Sequence, residues 1–210
     1  NITSNLVFAD VETEFSGNAF NLVVSRNSTL FSDFGTNANQ RSTANAIESL
    51  DSSNSFYNIL STSSASAVTN ALQNLSAEIY ASSQGAFILN SRYMRDAVNS
   101  HMQSSLKEAG KASAWVSTWA HSDEIDGKDG ITDMESKGLG FAVGYDFASS
   151  AGKNIGVAFG YEDIDIDVEA QNAKTEADSF HAVVYGGTRT EYASIRGGAG
   201  FNHIRSDVER

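Results

Sequence analysis

The feature that most constrains the fold is a strict alternation of large and small side chains in the second half of the chain. It is clearest at residues 138–147, GLGFAVGYDF, where every second residue is large and apolar or aromatic and the others are Gly, Ala or Asp. Successive side chains of a β-strand point to opposite faces. The pattern therefore predicts a strand with one apolar face and one nearly bare face.

The alternation recurs elsewhere in this half of the chain. Residues 155–162 and 193–202 repeat it, residues 115–119 mark an earlier Trp-rich strand, and residues 180–187 mark another. Turn residues or charged loops follow each run, which is typical of consecutive antiparallel strands. The segment 113–210 is therefore predicted to hold about five strands.

Three properties of these strands favour a membrane barrel over a soluble β-sandwich, in which the large residues would face a core. The strands are about ten residues or longer, which is enough to cross a membrane with tilt. Small residues on the second face suit the wall of a narrow lumen, and aromatic residues near strand ends suit interfacial girdles. These girdle candidates are Tyr145, Phe147, Tyr161 and Tyr185. The predicted lipid-facing residues are Leu139, Phe141, Val143, Tyr145, Ile155, Val157, Phe159 and Ile195.

The connections between the strands alternate in length. Residues 121–133 and 163–178 are long and acidic, whereas residues 148–153 and 188–191 are short. Extracellular loops and periplasmic turns of outer-membrane barrels alternate in this way. The parity of the pattern changes after Tyr161, which predicts either a bulge or a strand that leaves the lipid zone.

The first half of the chain differs in character. Residues 1–35 predict short β-strands, at residues 6–8 and 20–24, on either side of a turn at residues 16–18. The segment 36–64 is rich in Asn, Ser, Ala and Thr and is interpreted as a linker. Within it, small helices are predicted around residues 39–49 and 56–60, with residues 51–54 as a break and cap. Because the chain starts at Asn1 without a basic, apolar signal region, we expect it to be part of a longer precursor.

A long helix is predicted over residues 65–110, because apolar residues recur there at spacings of three and four. Polar and small residues occupy most of its remaining circumference, which suits a helix enclosed by a polar wall. An amphipathic helix on a soluble domain is the alternative. Charged residues of the helix, Glu78, Arg92 and Arg95, and of the small-residue strand face, Asp146, Glu162 and Arg196, are predicted to form ion pairs across a lumen.

Composition excludes several kinds of chemistry. The net charge is −12 and there are no cysteines, which argues against nucleic-acid binding, disulfides and Cys-ligated zinc. There is no G-x-S-x-G or H-E-x-x-H motif, and the four His residues are scattered. We therefore predict no catalytic, cofactor or metal site. Asp163, Asp165 and Asp167 would share a face of a strand, so a surface cation there is an alternative to an ordinary solvated loop.

Several stretches, in this order, resemble the translocator of the autotransporter (type V secretion) family. The resemblance covers residues 20–210 approximately, and among subgroups it is closest to those with subtilisin-like protease or esterase passengers. The matching stretches are Asn39-Gln40-Arg41 with the Ala/Ser-rich segment after it, residues 75–82 (LSAEIYAS), residues 91–96 (SRYMRD), residues 115–119, residues 138–147, residues 155–161 and residues 179–188 (SFHAVVYGGT).

The resemblance implies a fold and an organisation. The fold class is a partial all-β membrane barrel of about five antiparallel strands, preceded by a long α-helix, with short β-strands at the N-terminus. Residues 1–35 would be the end of a passenger, 36–64 a linker, 65–110 a plug helix, and 113–210 the first part of the barrel. The chain departs from the family because it ends before a full barrel of about twelve strands and lacks the Asn-Asn cleavage motif in the helix.

The implied function is an outer-membrane segment that anchors an N-terminal passenger and helps export it. The expected partners are outer-membrane lipid, the chain's own passenger and the outer-membrane barrel assembly machinery, with no nucleic acid. The expected location is the bacterial outer membrane, with the passenger at the cell surface or secreted, and any enzymatic activity would lie in the passenger. An outer-membrane porin or adhesin with ligand-binding loops is the alternative, and a soluble β-rich enzyme domain is a third hypothesis.

Overall fold

A computed structural model describes residues 6–106, 112–128, 131–147, 152–168 and 171–209. The chain divides into two compact units. The first contains Asn1–Glu78 and Gly127–Thr132, and the second contains Ile79–Asp126 and Asp133–Arg210. None of the described helices is long and apolar enough to cross a membrane.

The first unit begins with a β-hairpin. Strands β1 (Ala9–Ser16) and β2 (Ala19–Arg26) are antiparallel. They meet in a two-residue turn whose first residue, Gly17, has a φ of +62°, a conformation that glycine adopts without strain. The predicted strand at residues 20–24 is confirmed within β2. The prediction of a strand at residues 6–8 is wrong, because β1 starts after Phe8, which is fully buried in the core of this unit.

Short helices complete the first unit. A 3-10 helix at Phe31–Phe34 is followed by α1 (Ala38–Glu48), α2 (Ser55–Ser61) and α3 (Ala65–Leu75). Each α-helix begins after a residue whose side-chain oxygen accepts a backbone N–H: Asn37, Asn54 and Ser64 respectively, as favoured helix caps do. The two small helices predicted between residues 36 and 64 are thus confirmed.

The predicted linker, residues 36–64, shares one hydrophobic core with the segments before and after it. Phe8 contacts Phe31 edge to face, with ring centroids 4.8 Å apart. The buried apolar residues of this core are Phe8, Phe31, Ala44, Ile47, Leu60, Val68 and Leu72. Residues predicted as passenger end, linker and start of the long helix therefore pack around a single core.

The single long helix predicted from residue 65 is wrong, since it is interrupted after Leu75. Ser76 has an extended ψ of 139°, and its backbone N–H reaches back to the carbonyls of Leu72 and Gln73. Its hydroxyl donates to the Gln73 carbonyl at 2.8 Å, a local side-chain bond of the kind that competes with helix continuation. The second helix, α4, runs over Glu78–Ser105. The predicted end of the helix, after residue 106, lies outside the described residues.

The second unit contains one antiparallel sheet under α4. Its five strands are neighbours in sequence order, so the predicted number and arrangement of strands are confirmed. The strands are β3 (Ser113–Ile125), β4 (Met134–Phe147), β5 (Lys153–Val168), β6 (Ala173–Arg189) and β7 (Ser194–Glu209).

The strands extend further than the sequence suggested. The first predicted long loop is shortened because β3 continues to Ile125, and the second because β5 continues to Val168. Pairing of β5 with β6 is continuous from Lys153 opposite Thr188 to Val168 opposite Ala173. The hypothesis of a bulge after Tyr161 is therefore wrong. Beyond Tyr161 the side chains of one face become acidic and those of the other become apolar, while the strand pairing stays regular.

Candidate functional site: the inner face of the sheet and helix α4

Helix α4 lies on one face of the sheet, called the inner face here, which carries Ala142, Ala158 and Tyr185. Met94, Val98 and Met102 of α4 pack against these residues. Earlier turns of α4 make a second apolar contact. Its buried residues are Ile79, Ala86, Met134, Ile164, Ile166, Val168, Ala173 and Ala177. Two apolar clusters, with polar contacts between them, thus hold α4 on the sheet.

The opposite, outer face carries every residue that was predicted to face lipid. Leu139, Phe159 and Ile195 are 67%, 59% and 70% exposed, and the rest of that set shares their strand parity. Tyr185, predicted as a girdle residue, is an exception. It lies on the inner face and is only 2% exposed, so its assignment to a girdle is wrong.

Small residues on the inner face make room for aromatic rings. Trp119 pairs with Gly140 across β3 and β4, and a Cβ atom on Gly140 would lie 2.5 Å from the Trp119 ring. A Cβ atom on Gly160 would lie 2.9 Å from the Met94 sulfur of α4. The bare face that the sequence predicted is therefore covered by rings of the sheet and side chains of the helix.

A first polar cluster joins α4 to β3. The Arg92 guanidinium contacts Asp123 at 2.6 Å, and the Tyr93 hydroxyl donates to the other oxygen of Asp123 at 2.6 Å. The Tyr93 ring stacks on His121 with centroids 4.2 Å apart. Arg92 thus has the kind of helix–wall ion pair that the sequence suggested, but with a carboxylate that had been assigned to a loop.

A second polar cluster surrounds Glu162, which is fully buried on β5. The Trp119 indole donates to its carboxylate at 3.0 Å, and Nε2 of His121 lies 3.0 Å from the same oxygen. Nε2 of His181 is 3.8 Å from the second oxygen. This carboxylate links β3, β5 and β6 across the inner face.

A Ser, a His and a Glu meet in that cluster without the geometry of a catalytic triad. Nε2 of His181 faces both the Ser179 hydroxyl, at 3.0 Å, and Glu162. A triad needs the acid on the other ring nitrogen, so that Nε2 is free to accept the hydroxyl proton. The Ser179 hydroxyl instead donates to Asn202 at 2.8 Å.

A third polar cluster forms around Asp146 on β4, which is 3% exposed. The Tyr185 hydroxyl donates to Asp146 at 2.5 Å, and Nε2 of His101 lies 2.8 Å from its other oxygen. The Trp115 indole donates to the Tyr185 hydroxyl at 2.7 Å and stacks on His101 with centroids 4.5 Å apart. Sequence reasoning missed the role of His101. It could have placed Tyr185 on the inner face, because Phe180 and Val184, at even-numbered positions of the same strand, are exposed on the outer face.

The remaining charged candidates are not part of these clusters. Glu78 lies in the first unit, is 5% exposed and accepts the Thr132 N–H at 2.6 Å. Arg196 donates to the Asn99 carbonyl at 3.3 Å. Arg95 is exposed, and its side chain has no ion pair among the described residues.

The described residues include no group of His, Asp and Glu side chains that could hold a metal ion. Asp163, Asp165 and Asp167 do share a strand face, as predicted for a strand. Lys174 partly neutralises that row, with its ammonium 3.2 Å from Asp165 and 2.7 Å from Glu176.

Comparison with known families decides the nature of the sheet. The family described as "Autotransporter beta-domain" matches residues 114–210, which include nearly all of the five strands. These residues form an autotransporter β-domain. The autotransporter β-domain is an outer-membrane translocator, so the hypothesis of a soluble β-rich enzyme domain is wrong for this part of the chain.

A relative supports this identification beyond the autotransporter β-domain itself. The extracellular serine protease of Serratia marcescens is 25% identical over 165 residues, which cover 74% of this chain and 15% of the protease. The chain thus spans a small part of that relative. No solved structure matches the chain.

Proposed function

We propose that this autotransporter β-domain anchors an N-terminal passenger in the outer membrane and helps to export it. The observation that carries the proposal is the position of α4. This helix precedes the sheet in sequence and lies along its inner face, where polar side chains bind it to the three strands β3, β4 and β6. A helix in that position connects the N-terminal part of the chain to the sheet of the barrel.

The outer face supports a lipid environment. From residue 139 to 147 of β4 and from 155 to 161 of β5, the side chains of this face are apolar or aromatic. Val143 and Phe159 pair across the two strands. The charged residues of this face, such as Lys137 and Asp163, begin beyond that level. An apolar band with charges only beyond it is typical of strands in outer-membrane barrels.

The inner face supports a lumen closed by α4. Carboxylates that lose contact with water are costly unless they are paired and hydrogen-bonded. The half-buried Asp123 and the buried Asp146 obtain such partners from α4, in the form of Arg92, Tyr93 and His101. The helix therefore completes the polar contacts of the wall. We propose the role of plug for α4 on this basis.

The proposal extends to partners and to activity. Lipid of the outer membrane would contact the outer face, the outer-membrane barrel assembly machinery would insert the sheet, and the passenger would precede residue 1. The relative from Serratia is a protease. We propose that any enzymatic activity of the whole protein resides in the passenger, and that the inner face serves only to hold and guide the chain.

The test uses the full-length gene product in its outer membrane. An epitope inserted before residue 1 should reach the cell surface and be removed by added protease, while the sheet remains protected. A variant with residues 79–106 deleted should insert but leave an open pore with higher single-channel conductance. If the epitope stays inside the cell although the barrel is inserted, a porin or adhesin function would replace this proposal.

A further inference from the structure

The connection between β3 and β4 is built into the first unit, although both strands belong to the second. Residues 127–132 cluster with the hairpin and helices α1 to α3. Position 127 requires glycine, because a Cβ atom on Gly127 would lie 1.9 Å from the Ile131 carbonyl oxygen. The described ends of this connection therefore approach each other closely, and Thr132 lies at the start of α4.

Three side chains bind this loop to the junction of α3 and α4. The Thr132 N–H donates to Oε1 of Glu78 at 2.6 Å, and Nε2 of Gln73 donates to the Thr132 hydroxyl at 3.1 Å. Gln73, Glu78 and Thr132 are called the clasp here. Glu78 is the first residue of α4, and Thr132 lies two residues before β4. The clasp thus joins the start of the plug helix to a loop of the wall.

The clasp is continuous with the interior of the first unit. Gln73 accepts a hydrogen bond from the side-chain amide of Gln40, which is 3% exposed. Oε1 of Gln40 in turn accepts the Thr36 N–H at 2.7 Å. Once the first unit has folded, its own polar groups therefore fix the position of Gln73.

The geometry points to a positioning role, and we propose that the clasp sets the register at which α4 stops in the lumen. This proposal rests on the proposed function, because it concerns the end point of export. A slip of α4 by one turn moves Glu78 by about 5.4 Å, which breaks its bond to Thr132 and leaves a buried carboxylate without that partner. A smaller slip of one residue rotates the carboxylate away by about 100°.

The test measures the register of α4 in the exported full-length protein. The chain contains no Cys, so a single Cys at position 88, where Ile88 is 75% exposed, can be labelled in intact cells with a membrane-impermeant maleimide. Glu78→Ala should change the labelling rate by roughly tenfold, as expected from loss of a hydrogen bond to a charged group. Glu78→Gln keeps the acceptor oxygen and should stay within about twofold of the parent.

A matched control separates the clasp from a general effect of charge on α4. Asp96 is an exposed carboxylate of the same helix, and Asp96→Asn should label at the parental rate. The proposal is overturned if Glu78→Ala labels like the parent, or if the Ala and Gln variants behave alike. If the Glu78→Ala protein does not accumulate, Thr132→Val replaces it, and its labelling rate at position 88 should change by less than tenfold. An unchanged labelling rate in Thr132→Val also overturns the proposal.

The two proposals fail in different ways. The epitope before residue 1 is detected on the same cells. Loss of epitope display in the parent contradicts the export function. Normal display with unchanged labelling in the clasp variants contradicts only the role of the clasp.

Discussion

The indole of Trp115 lies directly over Gly144 of the neighbouring strand, so close that a Cβ atom on Gly144 would be 2.3 Å from the ring. The same indole donates to the Tyr185 hydroxyl and stacks on His101 of α4. Glycine at position 144 thus allows a ring of the wall to serve as the surface on which the helix packs. Close packing of this kind makes the inner face sensitive to single methyl groups.

Gly144→Ala should destabilise the folded β-domain by about 1–3 kcal/mol, the usual cost of overpacking, because the Trp115 ring must leave Tyr185 and His101. Gly197→Ala is the matched control, since no atom lies within 4 Å of the position of its Cβ. Urea midpoints of the detergent-solubilised protein measure both. Equal midpoints for the two variants would show that the ring moves freely.

Asp146→Ala should be more damaging than Tyr185→Phe. Removing the carboxylate takes away the partner of both His101 and Tyr185. It should therefore cost roughly twice as much as Tyr185→Phe, which removes one donor and should cost about 1–3 kcal/mol. Thermal unfolding followed by loss of strand circular dichroism gives the order. A larger effect from Tyr185→Phe would mean that the tyrosine, and not the carboxylate, organises this cluster.

Arg92→Glu should loosen the helix in the lumen, and Arg95→Glu should not. Arg92 is ion-paired with Asp123 at 2.6 Å, so the reversal places two carboxylates together. Arg95 has an exposed side chain in the described structure. Single-channel conductance of the full-length protein should rise or flicker for Arg92→Glu alone. Identical traces for the two variants would contradict the role of the ion pair.

Val143→Arg tests the medium outside the sheet. If lipid covers the outer face, a cation at this central position of β4 should cost about 2–4 kcal/mol. Lys137→Arg, on the same face beyond the apolar band, should be close to neutral. Folding titrations in lipid vesicles measure the difference. Equal stability of both variants would indicate that water, and not hydrocarbon, contacts this face.

Acid should weaken the loop that precedes α2. The Ser53 hydroxyl and, at 2.8 Å, the Ser53 N–H both donate to Asp51, and they lower the pKa of that carboxyl below its ordinary value. A depressed pKa gives stability above the unfolded pKa that is lost as pH falls through the folded one. Carboxyl carbon shifts of Asp51 should therefore titrate at a lower pH than those of the same residue in the unfolded chain. Ser53→Ala should move the midpoint upward, and an unchanged midpoint would contradict this account.

Most of the sheet could be predicted from the sequence because alternation of side chains is a local property of a strand. The ends of β5 could not, since Asp163 and Asp165 resemble a solvated loop until their pairing with Asp178 and Glu176 of β6 is known. The break at Ser76 was missed because the apolar spacing on either side continues as if the helix were unbroken. The Ser76 hydroxyl donates to the Gln73 carbonyl, and a serine inside a continuous helix can make a similar bond.

For the polar clusters of the inner face, the sequence could predict which residues lie on that face but not which residues contact each other. Parity placed Asp146 and Glu162 on the small-residue face, but the partner of each depends on how the helix lies over the strands. Asp123 contacts Arg92, 31 positions earlier in sequence. No local pattern contains that information.

Beyond Tyr161 the two faces of β5 exchange their chemistry, with aspartates outside and Ile164, Ile166 and Val168 packed inside against Ile79 and Ala86. This end of the sheet has a charged outer face and an apolar inner face, as in a water-soluble protein, and α4 covers the inner face. Narrow apolar constrictions gate a pore by dewetting, which resists the passage of ions. This apolar layer would thus keep the leak small and brief when a polar contact such as Arg92–Asp123 is lost, and removal of the whole helix would open the full path for solutes.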